Sequence, residues 1–301
     1  MRITNNMMTR AQLDGVASAM TALSTAQSRV TTGKRLLTAS DDPTSSMQVM
    51  TSDSSLRALD QYRTNVQRAV SRVSIEDNVL NRVSDLLMRA KELGVSQVGS
   101  TATAATRSVA NAELQQIFKE VIQLGNTKFG NEYMFAGDQS QTQPFSWTGA
   151  GATLDYTSTT PAGTRVVEIS DGQTMAVALD GSQLLLNSGV LDAVRDLSRA
   201  MDTGSATYGQ AGIGAAMTDL DAAFDSLQTL VGDVGAKGKQ LDSTQTNLDA
   251  YKANLTTFKS SLEEIDLETA VTELTNRQVA YQAAMLATTK VMGLTLTDYL
   301  R

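Results

Sequence analysis

Residues 10–32 read RAQLDGVASAMTALSTAQSRVTT, and residues 267–292 read LETAVTELTNRQVAYQAAMLATTKVM. In the first stretch Leu13, Val16, Met20, Leu23, Gln27 and Val30 step three, then four, positions apart. In the second, Leu267, Val271, Leu274, Gln278, Tyr281, Met285, Thr288 and Met292 keep nearly the same rhythm. That spacing lays one narrow apolar stripe along each helix, the stripe that a coiled coil buries against a partner. A stripe at each end of a chain has to be covered, either by the other end or by a neighbouring copy. The sequence therefore reads first as a part of an assembly.

Working inward, residues 44–93 contain neither Pro nor Gly, and neither do residues 239–292. At a rise of about 1.5 Å per residue, helices of that length reach roughly 75–80 Å, well beyond the usual globular helix. The first begins cleanly, because Asp42 can cap the free backbone N–H groups and Pro43 at the first helical position gives up no bond. The pair Asp41-Asp42 is read in this way and not as a metal or acid pair. The apolar positions continue as Leu59, Tyr62, Val66, Ala69, Val73, Leu80, Val83, Leu87 and Ala90, interrupted by Glu76, which is expected to be solvated or to touch another subunit. Gly94 and Gly99 mark the end of this helix, and a shorter one over about 105–127 is expected to fold back on it.

The returning helix is expected to begin near 214 and to hold its stripe from Leu241 through Thr244, Leu248, Tyr251, Leu255, Phe258 and Leu262 to Ile265. The rhythm then restarts at Leu267 after a step of two. Such a phase break means that the stripe changes face, through a bend or a new helix. It falls at Glu263-Glu264-Ile265-Asp266, read as a solvated hinge in which Asp266 can cap a new helix, and Gly33–Pro43 is the matching break near the other end. Gln27 and Gln278 each interrupt an apolar stripe. Either they set the register of the paired helices by a polar contact, or they face a partly wet lumen.

Between 129 and 181 the pattern changes: glycine is frequent, and apolar and polar residues alternate with the period of two expected of strands. Arg165–Ser170 and Thr174–Leu179 flank Asp171-Gly172, a hairpin signal, and Phe145–Thr148 with Ala152–Thr157 surround Gly149-Ala-Gly151. A helix over about 188–202 follows. The expected fold is mainly α, a long antiparallel helical bundle with paired N- and C-terminal coiled-coil helices and a small β-rich insertion. Three parts are expected: a terminal coiled-coil layer of 1–42 with 267–301, a long-helix domain of 43–135 with 205–266, and an insertion of 136–204.

Composition removes several kinds of chemistry. The 301 residues include no Cys and no His, so there is no disulfide framework, thiol nucleophile, Cys/His zinc site or Ser-His-Asp triad. Aromatics are only 5%, normal for helix-on-helix packing by Leu, Val, Met and Ala. The net charge of −7 is uneven, since residues 1–40 hold Arg2, Arg10, Arg29, Lys34 and Arg35 against Asp14 alone. The basic residues are scattered, with no aromatics between them, which fits a solvated helix face better than nucleic acid or a membrane surface. No cofactor or metal is implied. No apolar run approaches bilayer length, and the first residues lack the apolar core of a cleaved signal peptide.

The run Arg2-Ile-Thr-Asn5, then Val30-Thr-Thr-Gly33-Lys-Arg-Leu36 and Ala39-Ser-Asp-Asp-Pro43, resembles the start of bacterial flagellins and their hook-associated relatives. Glu273-Leu-Thr, Gln278-Val-Ala-Tyr281-Gln-Ala-Ala-Met285 and Leu296-Thr-Asp-Tyr-Leu-Arg301 resemble the end of the same family. Thr32-Gly33-Lys34-Arg35-Leu36 and Asp41-Asp42-Pro43-Thr44 depart from flagellins proper and look more like hook-associated members. The resemblance implies a flagellin-like fold and a structural subunit joining hook to filament, not an enzyme. It also implies as partners other copies in a helical turn, the first hook-associated junction protein on the hook side, flagellin on the filament side, and an export chaperone on the C-terminal helix. It implies a place outside the cell on the flagellum, reached unfolded through the flagellar type III apparatus. The competing readings are a short flagellin forming the filament itself, a secreted effector, and a carboxylate-pair glycosidase, for which no motif is present.

Overall fold

The computed structural model describes residues 5–99, 102–159, 163, 165–177 and 179–299; the side chains of 5, 6, 8, 9 and 291–299 lie outside that description. The elements in chain order are α1 (Asn5–Thr32), α2 (Pro43–Val98), α3 (Ala104–Gly125), the strand pairs β1 (Lys128–Phe129) with β2 (Glu132–Tyr133), β3 (Phe145–Thr148) with β4 (Asp155–Ser158) and β5 (Val166–Ser170) with β6 (Gln173–Ala176), then α4 (Val190–Met201), α5 (Gln210–Glu263) and α6 (Leu267–Tyr299). A 3₁₀ turn, Gly151–Thr153, separates β3 from β4, and a π-helical turn, Ser182–Asn187, precedes α4. The chain divides into two compact units, Leu59–Asp249 and Met1–Ala58 with Ala250–Arg301.

In the Leu59–Asp249 unit the stripe read from α2 is the core. Leu59, Val66, Ala69, Val73, Leu80, Val83, Leu87 and Ala90 are all buried, and Tyr62 is half-buried. Leu114, Ile117, Phe118 and Val121 of α3 join them, with Val190, Leu191, Val194, Leu197 and Met201 of α4 and Ile213, Leu220, Leu227, Val234, Leu241 and Leu248 of α5. Ion pairs fix α3 antiparallel to α2, Arg82 meeting Glu120 and Arg89 meeting Glu113 at 2.8 and 2.7 Å. The register of α5 against α2 is as regular: Lys91 pairs with Asp221, Ser84 with Gln228, and Arg63 with Asp249. Each step back along α2 is matched by an equal step forward along α5, which is what two continuous helices with a steady seam produce.

Of the two glycines expected to end α2, Gly99 follows its last residue, Val98, and Gly94 lies inside it. α2 runs through Gly94, where a Cβ would lie 2.3 Å from Met217 Sδ, so the missing side chain admits a neighbour instead of stopping the helix. Likewise α5 begins at Gln210 and takes in Gly212 and Gly214; at Gly212 a Cβ would collide with the Thr207 carbonyl. The two expected hairpins form, the second turning at Gly172 with φ +66° and the first closing after the 3₁₀ turn, so that β4 starts at Asp155 instead of Ala152. Ala178, in the last expected run, lies outside the described residues. The short β1–β2 hairpin was not anticipated; its signal is Gly130 at φ +64° between Phe129 and Asn131. Asn126 stands in for a strand partner of Phe145, its amide oxygen accepting the Phe145 N–H at 3.1 Å and its amide nitrogen donating to the Phe145 carbonyl at 2.9 Å.

Glu76 corrects the expectation of a solvated or inter-subunit carboxylate: it is fully buried. Its Oε1 accepts from Arg72 Nε one turn earlier at 3.3 Å and from the Leu179 backbone N–H at 3.2 Å. Arg72 also donates to the Met134 carbonyl. A charge can sit inside the stripe because a second charge and a backbone dipole replace the lost water.

Candidate assembly surface

In the unit made of Met1–Ala58 and Ala250–Arg301, both chain ends change direction at one place. Gly33, at φ +69°, ends α1 in a conformation that favours glycine. The Arg35 N–H then donates to the Glu263 carbonyl at 2.7 Å, and the Ile265 N–H donates to the Gly33 carbonyl at 3.1 Å, making a one-rung antiparallel bridge between Lys34 and Glu264. Around it Arg35 Nη2 donates to the Leu262 carbonyl at 2.9 Å, the Lys34 ammonium pairs with Glu263, and Lys259 pairs with Asp53 at 2.6 Å. The Asp53 carboxylate is the main cause of the raised Lys259 pKa. The acidic run read as a solvated hinge is thus partly engaged, with Glu263 between two lysines.

The helices leaving this bridge are capped by carboxylates. Asp42 Oδ1 accepts the Ser45 N–H at 3.1 Å at the start of α2, and Asp266 Oδ1 accepts the Glu268 N–H at 3.1 Å at the start of α6. Asp41 ties the approach to α2, taking the Leu37 and Thr38 N–H groups at 3.0 and 3.1 Å. Those donors hold Asp41 below the ordinary carboxyl range, and the Ser45 hydroxyl and N–H do the same for Asp42. Pro43 follows as the first residue of α2.

α1 packs along α6. Of the stripe residues, Val16, Leu23, Val30, Leu274 and Tyr281 are half-buried, together with Ala19, Ala22 and Thr288, and Ala26 is buried. Leu13, Met20, Gln27, Leu267, Val271, Gln278 and Met285 are exposed, Met20 and Leu267 at 60%. Met292 lies in α6, its side chain outside those described. So each three-four stripe splits into an inner half, closed within the chain, and an outer half that is open. One partner helix covers only a narrow strip, and a wider apolar face needs another. The stripe reading passed over Ala22 and Ala26; small residues three and four positions apart beside a seam were the available signal.

Leu286 at 65% and Val279 at 60% widen the open apolar face of α6. A second apolar region of this unit is a groove of about 540 Å³ bordered by Pro43, Met47, Leu255 and Phe258, with Met47 exposed at 70%. Uncovered apolar area of this kind is a candidate contact surface. Among the described residues no group of three or more Asp and Glu is placed to hold a metal ion, and no helix is long and apolar enough to cross a membrane.

The chain is similar to known proteins in sequence and in fold. The family described as the bacterial flagellin N-terminal helical region matches residues 3–140, and the bacterial flagellin C-terminal helical region matches residues 217–300. Flagellar hook-associated protein 3 of Escherichia coli (strain K12) is 25% identical over 317 residues, covering 98% of each chain. The flagellin of Bacillus subtilis (strain 168) is 25% identical over 305 residues, covering 95% of each. Among solved structures, a putative flagellar hook-associated protein from Vibrio parahaemolyticus aligns with a TM-score of 0.66 at 18% identity, over 74% of this chain and 100% of that one.

Proposed function

Because the chain belongs to the bacterial flagellin family, we infer that it is a structural subunit of the flagellum, placed at the junction between hook and filament. The observation that carries this reading is the pairing of the two family-matched ends into one helix pair whose outer apolar halves are left open. A similar protein over 98% of its length is named for its association with the hook, which favours the junction over the filament.

In this reading the terminal helices, residues 1–42 and 267–301, form one layer of the assembly. Residues 43–135 with 205–266 form a second, and 136–204 a solvent-facing insertion. The outer residues Leu13, Met20, Leu267, Val271 and Met285 dock onto other copies, while Val16, Leu23, Val30, Leu274 and Tyr281 hold the pair together; Gln27 and Gln278 give polar contacts on the outer side. Contacts between different surfaces of successive copies generate a ring or a helical array. The neighbours are the first hook-associated junction protein on one side and flagellin on the other. Before assembly a chaperone covers the open face of α6, and the subunit leaves the cell unfolded through the flagellar type III apparatus. Its role is mechanical, with no enzymatic step.

Immuno-labelling along intact flagella tests the placement. Label confined to the boundary of hook and filament is expected, with a deletion strain that keeps its hook and sheds flagellin into the medium. The equal identity to a flagellin favours a second reading, a filament subunit. Label along the whole filament, with the chain abundant in sheared filaments, would establish that one instead.

A further inference from the structure

The Leu59–Asp249 unit carries a cleft of about 650 Å³ beside the α2 seam. Ala69, Phe129, Val167 and Val177 form its apolar walls, and Arg68, Arg72 and Arg165 bring three cations to it against one carboxylate, Glu132. Glu132 is committed to Arg165 at 2.6 Å. Arg68 is exposed and makes no ion pair among the described residues. Arg72 is only 7% exposed; Nε serves Glu76, Nη2 serves the Met134 carbonyl, and Nη1 makes no hydrogen bond among the described residues. A guanidinium held in place by two partners, with one N–H side left over in a cationic cleft, can receive an oxyanion, since the donor is already fixed.

We propose that this cleft receives an Asp or Glu side chain of a neighbouring copy, with Arg72 as the inner contact and Arg68 as the outer one. The proposal rests on the reading of the chain as an assembly subunit. Charge complementarity argues for a second copy as the occupant: the chain holds 32 acidic residues against 25 basic ones, so the surface of any copy offers carboxylates in excess, and this cleft is a cationic exception. A cleft on one copy meeting a carboxylate elsewhere on the next is a contact that does not close on itself, as serial assembly requires.

Behind Arg72, the docked carboxylate and Glu76 share one cation. The groups facing Glu76 are Arg72 on its own helix, the Leu179 N–H and Lys237 of α5, and Glu132 and Arg165 face Arg72. Glu76 Oε2 is buried without a partner. Burial pushes the Glu76 carboxyl up to about 7, against the pull of Leu179, Arg72 and Lys237. An arriving negative charge raises it further, so docking near neutral pH draws a proton from solvent onto Glu76, and the contact tightens as pH falls from 8 to 6.

Calorimetric titration of the full-length soluble chain with a hexaglutamate peptide, with hexaglutamine as the neutral control, tests the site. Saturable binding of hexaglutamate alone is expected, weakened about tenfold by Arg68→Glu, an exposed position that leaves the fold intact. Repeating the titration in buffers of different ionisation enthalpy should show proton uptake near pH 7 that Glu76→Gln removes. In cells, Arg68→Glu should lower the amount of the chain recovered in sheared flagella. Absence of hexaglutamate binding, or binding indifferent to Arg68→Glu, overturns the site. Binding with undiminished recovery of the variant overturns the neighbouring copy as occupant. In either case, wild-type label at the boundary of hook and filament would leave the junction reading standing, while its absence there would remove that reading itself.

Discussion

The Asp42 carboxylate holds Ser45 twice, taking its N–H at 3.1 Å and its hydroxyl at 2.5 Å. This pair fixes where α2 starts, immediately beyond the bridge that gathers both chain ends. Asp42→Ala is expected to fray the first turn of α2, and Asp42→Ser to keep most of the cap, because a hydroxyl accepts the same bond. Amide hydrogen exchange at residues 45–48 reads the difference. Since its folded pKa is lowered, the contribution of Asp42 is present above the ordinary 3.8 and is lost as pH falls through the folded value.

Glu76 has the opposite sign. Its folded carboxyl, at about 7, lies above the ordinary 4.5. Its contribution is therefore complete below 4.5 and lost as pH rises through about 7. Relative to Glu76→Gln, the wild type should gain stability, by up to a few kcal/mol (about 1.4 per pKa unit), as pH falls from 8 to 5. Urea unfolding at each pH measures it; parallel curves for the two proteins would show that the carboxyl does not titrate in that window.

Val271 and Met285 are each 45% exposed on α6. Replacing either with Asp should leave the thermal unfolding of the soluble chain within about 0.5 kcal/mol. The same variants should fail to enter the flagellum, because a charge then has to be buried against the next copy. Variants that assemble normally would exclude the outer half-stripe of α6 from the contact.

Phe118 is fully buried in α3. Phe118→Ala should cost about 3–5 kcal/mol in urea unfolding through lost burial and the cavity left behind.

Limited proteolysis of the soluble subunit should cut within residues 1–42 and 267–301 before the Leu59–Asp249 unit. Two helices with open outer faces offset little of the entropy of ordering them. Fragments that retain both intact ends at long digestion times would show that the terminal pair is stable without neighbours.

The stripe of α2, with its period of three and four, was legible because the buried positions from Leu59 to Ala90 are apolar except Arg72, Glu76 and Ser84, and local helix geometry alone dictates which residues share a face. The bends at Gly33–Pro43 and Glu263–Asp266 were legible for a related reason: a phase break and a capping carboxylate are both written in consecutive residues. The same local rules misread Gly94, because a glycine that stops a helix and one that admits a neighbour look alike until the neighbour is known. Glu76 was missed in a similar way; a carboxylate on an apolar stripe looks solvated until Leu179, 103 positions away, is seen to donate to it.

Sequence by itself determined the helices, their apolar faces, the turning points, and the chemistry excluded by the lack of Cys and His, since all of these depend on residues close in the chain or on composition. Only the tertiary structure decided which half of each terminal stripe is closed and which is open, that Glu76 is buried beside Arg72, and that Arg68, Arg72 and Arg165 meet at one cleft. Those facts depend on the distances between segments far apart in sequence, and periodicity along one helix carries no information about what lies across from it.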